Sequence, residues 1–388
     1  MRVEFSRKLK SLPPYLFVEL DRAKREAKAS GKDIIDFGVG DPDLPTPPPI
    51  IEALYKAAQD PSNHRYALDQ GLPELRRAIA RWYERRFGVV LDPDAEILPL
   101  IGSKEGIAHL PLGLINPGDK VLVPDPCYPP YRSGTLFAGG EIVSLPLREG
   151  RQFLPDLSAL KASELKKAKL LFLNYPNNPT GAVADKNFYE ETIDFCRRHH
   201  IMIASDAAYT EISFDGLRPV SFLQAKGAKT FGVEFHSLSK TFNMTGWRIG
   251  FAVGNHTMIA ALAKVKANID SGIFQAVQLA GIFALERGEE WVRRSNQIYE
   301  ERRDILLQAL SSMGWRCPKP KATFYFWIPV PIRQSSTAFA KLLLKEAGVV
   351  VTPGVGFGKA GEGYFRMTLT VAKERIEEAC ARLKKLLG

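Results

Sequence analysis

Cysteine is scarce in this chain: Cys127, Cys196, Cys317 and Cys380 are the four among 388 residues, far apart and with no C-x-x-C pair. That spacing excludes a zinc ribbon and a disulfide framework, and predicts a reduced, cytoplasmic setting. No apolar run reaches the roughly 18 residues that a membrane span needs. The N-terminal MRVEFSRKLKSLPPYLFVEL is broken by charges and prolines, so neither a signal peptide nor an anchor is expected. Internal repeats and low-complexity tracts are missing, which removes solenoids and extended linkers. A block of one charge sign is missing too. The net charge is +10, yet the densest basic run, KASELKKAKL at 161–170, contains a glutamate and leads into an apolar stretch. It reads as a solvated helix face rather than a nucleic-acid surface, and anionic small molecules suit the charge equally well.

What is present is ordinary globular composition, 45% apolar and 25% charged, over a length sufficient for about two domains. Short apolar runs alternate with helix-length amphipathic stretches, the pattern of a mainly parallel sheet covered by helices. Strands are expected at 96–101, 120–124, 141–146, 169–174, 201–205, 231–236 and 248–253. The fold class is therefore α/β, with a seven-stranded large domain over 46–275 and a smaller α+β domain over 276–388. In the latter, charged helices at 287–312, a strand at 323–329, a helix at 336–347 and a terminal helix at 371–387 are expected. Residues 1–45, with the amphipathic LFVELDRAKREAKASG and the proline-rich DPDLPTPPP, form an arm that joins the smaller domain.

Polar residues recur just beyond the strands, where open α/β sheets bind ligands. In EFHSLSKTFNMTGWRIGF, Lys240 is bracketed by Ser237, Ser239, Thr241 and Arg248. A buried lysine beside a cation can act as an imine-forming nucleophile, and Arg248 can also bind a phosphate; a lone lysine can equally sit on a surface loop. Asp206 ends the run IMIASD, with Tyr209 after it. A carboxylate there would keep a pyridine nitrogen protonated, or would cap a helix. Asn178 in NYPNNPTG can donate to a phenolic oxygen or simply make a turn. Ser103 and Lys104 open a helix after a Gly turn, a place that attracts phosphate, although Ser103 would also serve as an ordinary N-cap. Tyr128 in PDPCYPPY can stack on a flat ring or pack. Arg366, in the alternating YFRMTLT, can meet a substrate carboxylate or form an edge salt bridge.

Taken in order, DFGVGDPDLPTP, NNPTG, D-x-x-Y, S-L-S-K-T-x-x-x-x-G-W-R-I-G and FRMTLT resemble the class I and II aminotransferases of the pyridoxal-phosphate fold type I superfamily. The likeness spans nearly the whole chain. It implies that pyridoxal 5'-phosphate is held as an imine on Lys240, which also acts as general acid and base. It implies Asp206 as the partner of the ring nitrogen, Asn178 and Tyr209 as partners of the 3-oxygen, and Tyr128 as the stacking ring. Ser103, Lys104, Ser237, Ser239 and Arg248 would hold the phosphate, and Asn178 and Arg366 the substrate α-carboxylate. Amino acids and 2-oxo acids are the implied substrates. The superfamily is similar in being homodimeric with shared active sites; RYALDQGLPELR matches the crossing segment, so Tyr66 would reach the partner's phosphate. Gly40 would let backbone close over the substrate.

Within the superfamily, GSKEGIAHLPLGLINPGD, PYLFVELDRAKREA and EFHSLSKTFNMTGWRIGFAVGN look most like the LL-diaminopimelate aminotransferases of bacteria and archaea. That resemblance places Tyr15 near the substrate. It implies exchange of an amino group between LL-diaminopimelate with 2-oxoglutarate and tetrahydrodipicolinate with glutamate, in lysine biosynthesis. Transfer from aspartate, alanine or aromatic amino acids, or a carbon–sulfur lyase reaction, are the alternatives on the same fold. A PLP-binding effector domain of a transcriptional regulator would need a DNA-binding helix-turn-helix ahead of it, and the short stretch before IIDFGVG leaves no room for one.

Overall fold

The computed structural model describes residues 3–12, 22, 24–27, 29, 31–67 and 69–387. The first apolar run yields a two-residue strand, β1 (Ile35–Asp36), which pairs with a strand near the other end of the chain. Helices α1 (Pro48–Ala58) and α2 (Pro73–Phe87) both open on proline, where the missing N–H costs no intrahelical bond. α2 stops where Gly88 turns left-handed at φ 67°. Its Leu75, Ile79, Trp82 and Tyr83 bury one face against the large sheet.

That sheet contains β2 (Ile97–Leu100), β3 (Lys120–Asp125), β4 (Glu141–Pro146), β5 (Ala168–Asn174), β6 (Met202–Asp206), β7 (Gly232–Ser237) and β8 (Gly250–Gly254), in the order β2-β8-β7-β6-β5-β3-β4. All run the same way except β8, which is antiparallel to both neighbours. β5 and β7 are buried along almost their whole length, as strands covered by helices on both faces must be. α3 (Ser103–Leu114), α4 (Pro130–Ala138), α5 (Lys186–His199) and α6 (His256–Lys266) lie among these strands in the chain.

The last expected strand of this set begins later than 248. Arg248 has φ 56° after the 3-10 turn Thr245–Trp247, and a left-handed residue cannot lie in an extended ladder. The reason is functional in its consequence: the kink turns the guanidinium back toward Thr245 and Ser239.

Beyond the sheet come α7 (Gln275–Arg287), α8 (Glu289–Ser312), β9 (Tyr325–Pro329), α9 (Ser336–Leu342), β10 (Val349–Val350), β11 (Thr352–Pro353), β12 (Tyr364–Thr368) and α10 (Lys373–Leu387). The helical stretch expected over 287–312 instead starts at 289. Gly288 separates it from α7, and a Cβ at Gly288 would overlap Phe242 and the Ala284 carbonyl. The helix expected over 336–347 is regular only to Leu342 and continues as a π-helical turn to Ala347. β1 pairs with β10, and β11, β12 and β9 form an antiparallel sheet with β12 in the centre.

Apolar side chains fall into one cluster on each side of the large sheet and a third around the small one. The third holds Ile35 and Phe37 from the N-terminal segment, and also Ala208, Tyr209, Ile212 and Phe214, which follow directly after β6. The chain thus leaves Asp206 in one packed region and enters another within two residues. Among the described residues no helix is long and apolar enough to cross a membrane.

Candidate active site

Asn174 and Asp206 end β5 and β6 and are register partners, so their side chains emerge side by side at the carboxyl edge of the sheet. Asn174 Nδ2 donates to the Asp206 carbonyl at 2.8 Å, while Asn174 Oδ1 accepts from the Asn178 N–H at 2.8 Å. Asp206 is 4% exposed. Its Oδ2 accepts from the Tyr131 hydroxyl at 2.7 Å and its Oδ1 from the Ala208 N–H at 3.1 Å. Burial raises its pKa to about 6, with the Tyr131 hydrogen bond the leading opposing influence. A turn rather than a helix follows Asp206, which sets aside the capping role.

One helical turn, Leu238–Thr241, follows β7 and delivers Lys240 to the same edge. Lys240 Nζ donates to the Gly40 carbonyl at 2.9 Å and lies 5.8 Å from the Phe324 ring centre. Burial lowers its pKa to about 8, Arg366 and Arg248 add to the shift, and Asp41 opposes it. This is no surface-loop lysine. Ser103, Lys104, Tyr128, Asn178, Tyr209, Ser237, Ser239 and Arg248 line the same cavity as Lys240 and Asp206. Ser103 is the first residue of α3 and makes no side-chain cap, so its hydroxyl and the first amides of the helix remain available.

Arg366 stands on β12, the central strand of the small sheet, at 2% exposure; the edge salt bridge is therefore excluded. Nη1 donates to Asn178 Oδ1 at 2.8 Å and Nη2 to the Gly38 carbonyl at 2.7 Å. The guanidinium lies 4.2 Å from the Tyr325 ring centre and 4.7 Å from that of Phe357, and its Nε has no partner. Among the described residues no carboxylate pairs with Arg366, Arg248 or Lys240, and no lysine or arginine pairs with Asp206. A buried charge lacking its counter-ion is costly, so the buried Arg366 and Asp206 suit ligands of the opposite sign, with the half-buried Lys240 and the exposed Arg248 beside them.

Two expected site residues lie elsewhere or act differently. Tyr66 is 87% exposed and lines a separate groove with His64, Arg65 and Ser271–Phe274, away from this cavity within one chain. Gly40 is required first by packing: a Cβ there would overlap the Tyr325 hydroxyl, and the Gly40 carbonyl accepts from Lys240. Tyr15 lies outside the described residues. Four contributors were not anticipated: Tyr131, Asn174, Thr245 and Tyr325, whose hydroxyl is 2.9 Å from that of Tyr209. For Asn174 a signal was available, since it ends an apolar strand as Asp206 does.

Residues 32–383 match the profile described as aminotransferase class I and II. The chain belongs to this aminotransferase family. The chain is 53% identical to the LL-diaminopimelate aminotransferase of Moorella thermoacetica, over 99% of this chain and 98% of that relative. It is 56% identical to the protein of the same name from Syntrophobacter fumaroxidans, over 98% of each. Among solved structures, apo-BacF from Bacillus subtilis superposes with a TM-score of 0.96 at 42% identity, covering 100% of this chain and 99% of that one. The aminotransferase family uses pyridoxal phosphate, and the donor set here fits that group. Helix-terminal amides, hydroxyls and Arg248 suit a phosphate, and the Asp206 carboxylate, which no lysine or arginine pairs with among the described residues, suits a basic ring nitrogen.

Proposed function

We propose that this aminotransferase acts on LL-diaminopimelate with 2-oxoglutarate as acceptor, holding pyridoxal phosphate on Lys240. The observation that carries the reading is one cavity lined by a half-buried lysine and by a buried aspartate that no lysine or arginine pairs with, next to a buried arginine that has no carboxylate. The names of the relatives at 52–56% identity support the substrate.

When bound, the cofactor supplies an electron-accepting ring conjugated to the substrate nitrogen. Ser103, Lys104, Ser237, Ser239 and Arg248 would hold its phosphate, and Tyr128 would lie against the ring. Asp206 would keep a proton on the ring nitrogen, and Asn178 Nδ2 and the Tyr209 hydroxyl would serve the 3-oxygen. Arg366 exchanges its bond to the Gly38 carbonyl for the substrate α-carboxylate while Asn178 continues to orient it. Lys240 Nζ would serve as the general base that takes the proton from the substrate α-carbon, and its ammonium form as the general acid.

The same proposal includes a homodimer in which Tyr66 reaches the partner's phosphate, Tyr15 near the substrate, a large unit over 46–275 with a smaller one built from 1–45 and 276–388, and a cytoplasmic location. Exposed Ile51, Tyr55, Ile269 and Phe274, the last lining the Tyr66 groove, support the dimer, and four unpaired cysteines support a reducing compartment.

The test is a donor panel with 2-oxoglutarate, reading glutamate formed from LL- and meso-diaminopimelate, aspartate, alanine and aromatic amino acids. LL-diaminopimelate is expected to lead; a wide margin for aspartate or an aromatic donor removes the substrate assignment. Lys240→Ala is expected to lose the visible absorption of bound pyridoxal phosphate and nearly all turnover, and normal turnover in that variant removes the assignment of Lys240.

A further inference from the structure

Tyr131 touches the Asp206 carboxylate, yet none of the roles above falls to it. We propose that Tyr131 is a positioning residue whose hydroxyl holds the Asp206 carboxylate in the one orientation from which it can face the ring nitrogen of the cofactor. The proposal rests on the pyridoxal-phosphate reading and deepens it.

The geometry around Tyr131 leaves its hydroxyl little freedom. Its side chain is fully buried, and its ring stacks on Phe172 of β5 at 4.9 Å and 14°. The hydroxyl reaches Asp206 Oδ2 at 2.7 Å, and an ionised carboxylate only accepts, so the phenol is the donor. Desolvation and the neighbouring carboxylate push the phenol pKa well upward, which keeps the proton on that donor. Asp206 Oδ1 is taken by the Ala208 N–H. With one donor on each oxygen, rotation of this buried carboxylate breaks two hydrogen bonds. Tyr131 is itself held: its carbonyl accepts from the Thr135 hydroxyl at 2.7 Å and its N–H donates to the Tyr128 carbonyl at 3.3 Å. The turn that leads into α4 therefore brings Tyr128 and Tyr131 together, with the two phenols edge to face at 5.9 Å.

Other charged or titratable groups face Asp206 without touching it. His236 and Glu234 on β7 act in opposite senses, Tyr325 on β9 is near, and Lys240 lines the same cavity. None of these supplies a donor to either oxygen.

The test uses reconstituted holoenzyme. Tyr131→Phe keeps the ring on Phe172 and deletes only the hydroxyl. It is expected to bind pyridoxal phosphate with its visible colour intact and to lose roughly tenfold or more in kcat, with the KM for the amino donor little changed. Losing a hydrogen bond to the charged form raises the carboxylate pKa, so the deficit should be deeper near about pH 6 than near about pH 8.5. In an Asp206→Asn background the same substitution should have almost no further effect, because the two residues act as one unit. A kcat within about twofold of wild type across that range, or an equal fold loss in both backgrounds, overturns the proposal. Tyr131→His, which keeps an aromatic ring and a donor, supports the proposal if most of the rate survives and counts against it if the rate falls as far as in Tyr131→Phe. Wild-type protein that stays colourless with pyridoxal phosphate removes the parent reading and this one with it; a coloured Tyr131→Phe with wild-type rates removes this one alone.

Discussion

Lys240 is an amine placed among cations. Burial, Arg366 and Arg248 all favour its neutral form and bring its pKa down to about 8, while Asp41 pulls the other way. Only the neutral amine adds to an aldehyde, so the rate at which apoprotein takes up pyridoxal phosphate should rise with pH and level off above about 8. Asp41 stabilises the ammonium form, and Asp41→Asn should therefore move the midpoint to lower pH. Stopped-flow absorbance across the pH range checks this, and a midpoint that stays or rises contradicts it. Residues of this kind were legible beforehand because they sit where an apolar strand stops: Asp206 ends β6 and Lys240 follows β7 by one turn. Tyr131 was not. A tyrosine in YPPY has the same local pattern whether it packs or holds a carboxylate, and only its 2.7 Å contact with a residue 75 positions away separates the two.

At the scale of elements, the segment 38–43 is the piece most constrained from outside itself. The Gly38 carbonyl accepts from Arg366 and from the Thr352 hydroxyl at 2.8 Å, the Val39 carbonyl from the Thr370 hydroxyl at 3.1 Å, and the Gly40 carbonyl from Lys240. Asp43 is clamped by both terminal nitrogens of Arg302 on α8, at 2.8 and 2.9 Å, and Arg302 also donates to the Leu369 carbonyl. Under the proposed function Lys240 and Arg366 leave these carbonyls during turnover, and the anchorage of the segment then sets where they return. Arg302→Leu should lower the free energy of unfolding by roughly 2–4 kcal/mol, because it strips a mostly buried pair of one partner. It should also raise the KM for the amino donor more than it lowers kcat. Urea titration and steady-state kinetics test both; an unaltered KM would show that Arg302 serves stability alone. Helix and strand positions were largely readable from periodicity, as β4 at Glu141–Pro146 illustrates. The breaks were not: Gly288 and the left-handed Arg248 answer to Phe242 and to the site, neither of which lies in the local pattern.

For the molecule as a whole, a few exposed apolar side chains have no role in the cavity. Ile51 and Tyr55 on α1, Tyr66, Ile269 and Phe274 are exposed together with the groove lined by His64, Arg65 and Ser271–Phe274. Under the homodimer proposal this face is covered by a second copy. Phe274→Asp should then convert a dimer to a monomer in sedimentation and weaken pyridoxal-phosphate binding at the same time. A variant that sediments as wild type, or a wild-type protein that is monomeric with full activity, contradicts the proposal.

Periodicity was sufficient for the class of fold and the seven-stranded sheet, and strand ends marked Lys240, Asp206 and Asn178 as candidates that the family resemblance joined into one site, because burial on two faces writes a continuous apolar run whose end is visible locally. Folding alone chose the partners. Arg366 meets Asn178 and Gly38 across 188 and 328 positions, Asp206 meets Tyr131 across 75, and Gly40 is glycine because Tyr325 occupies the space beside it. Contacts of that length are set by how layers pack against one another, and no local spacing encodes them.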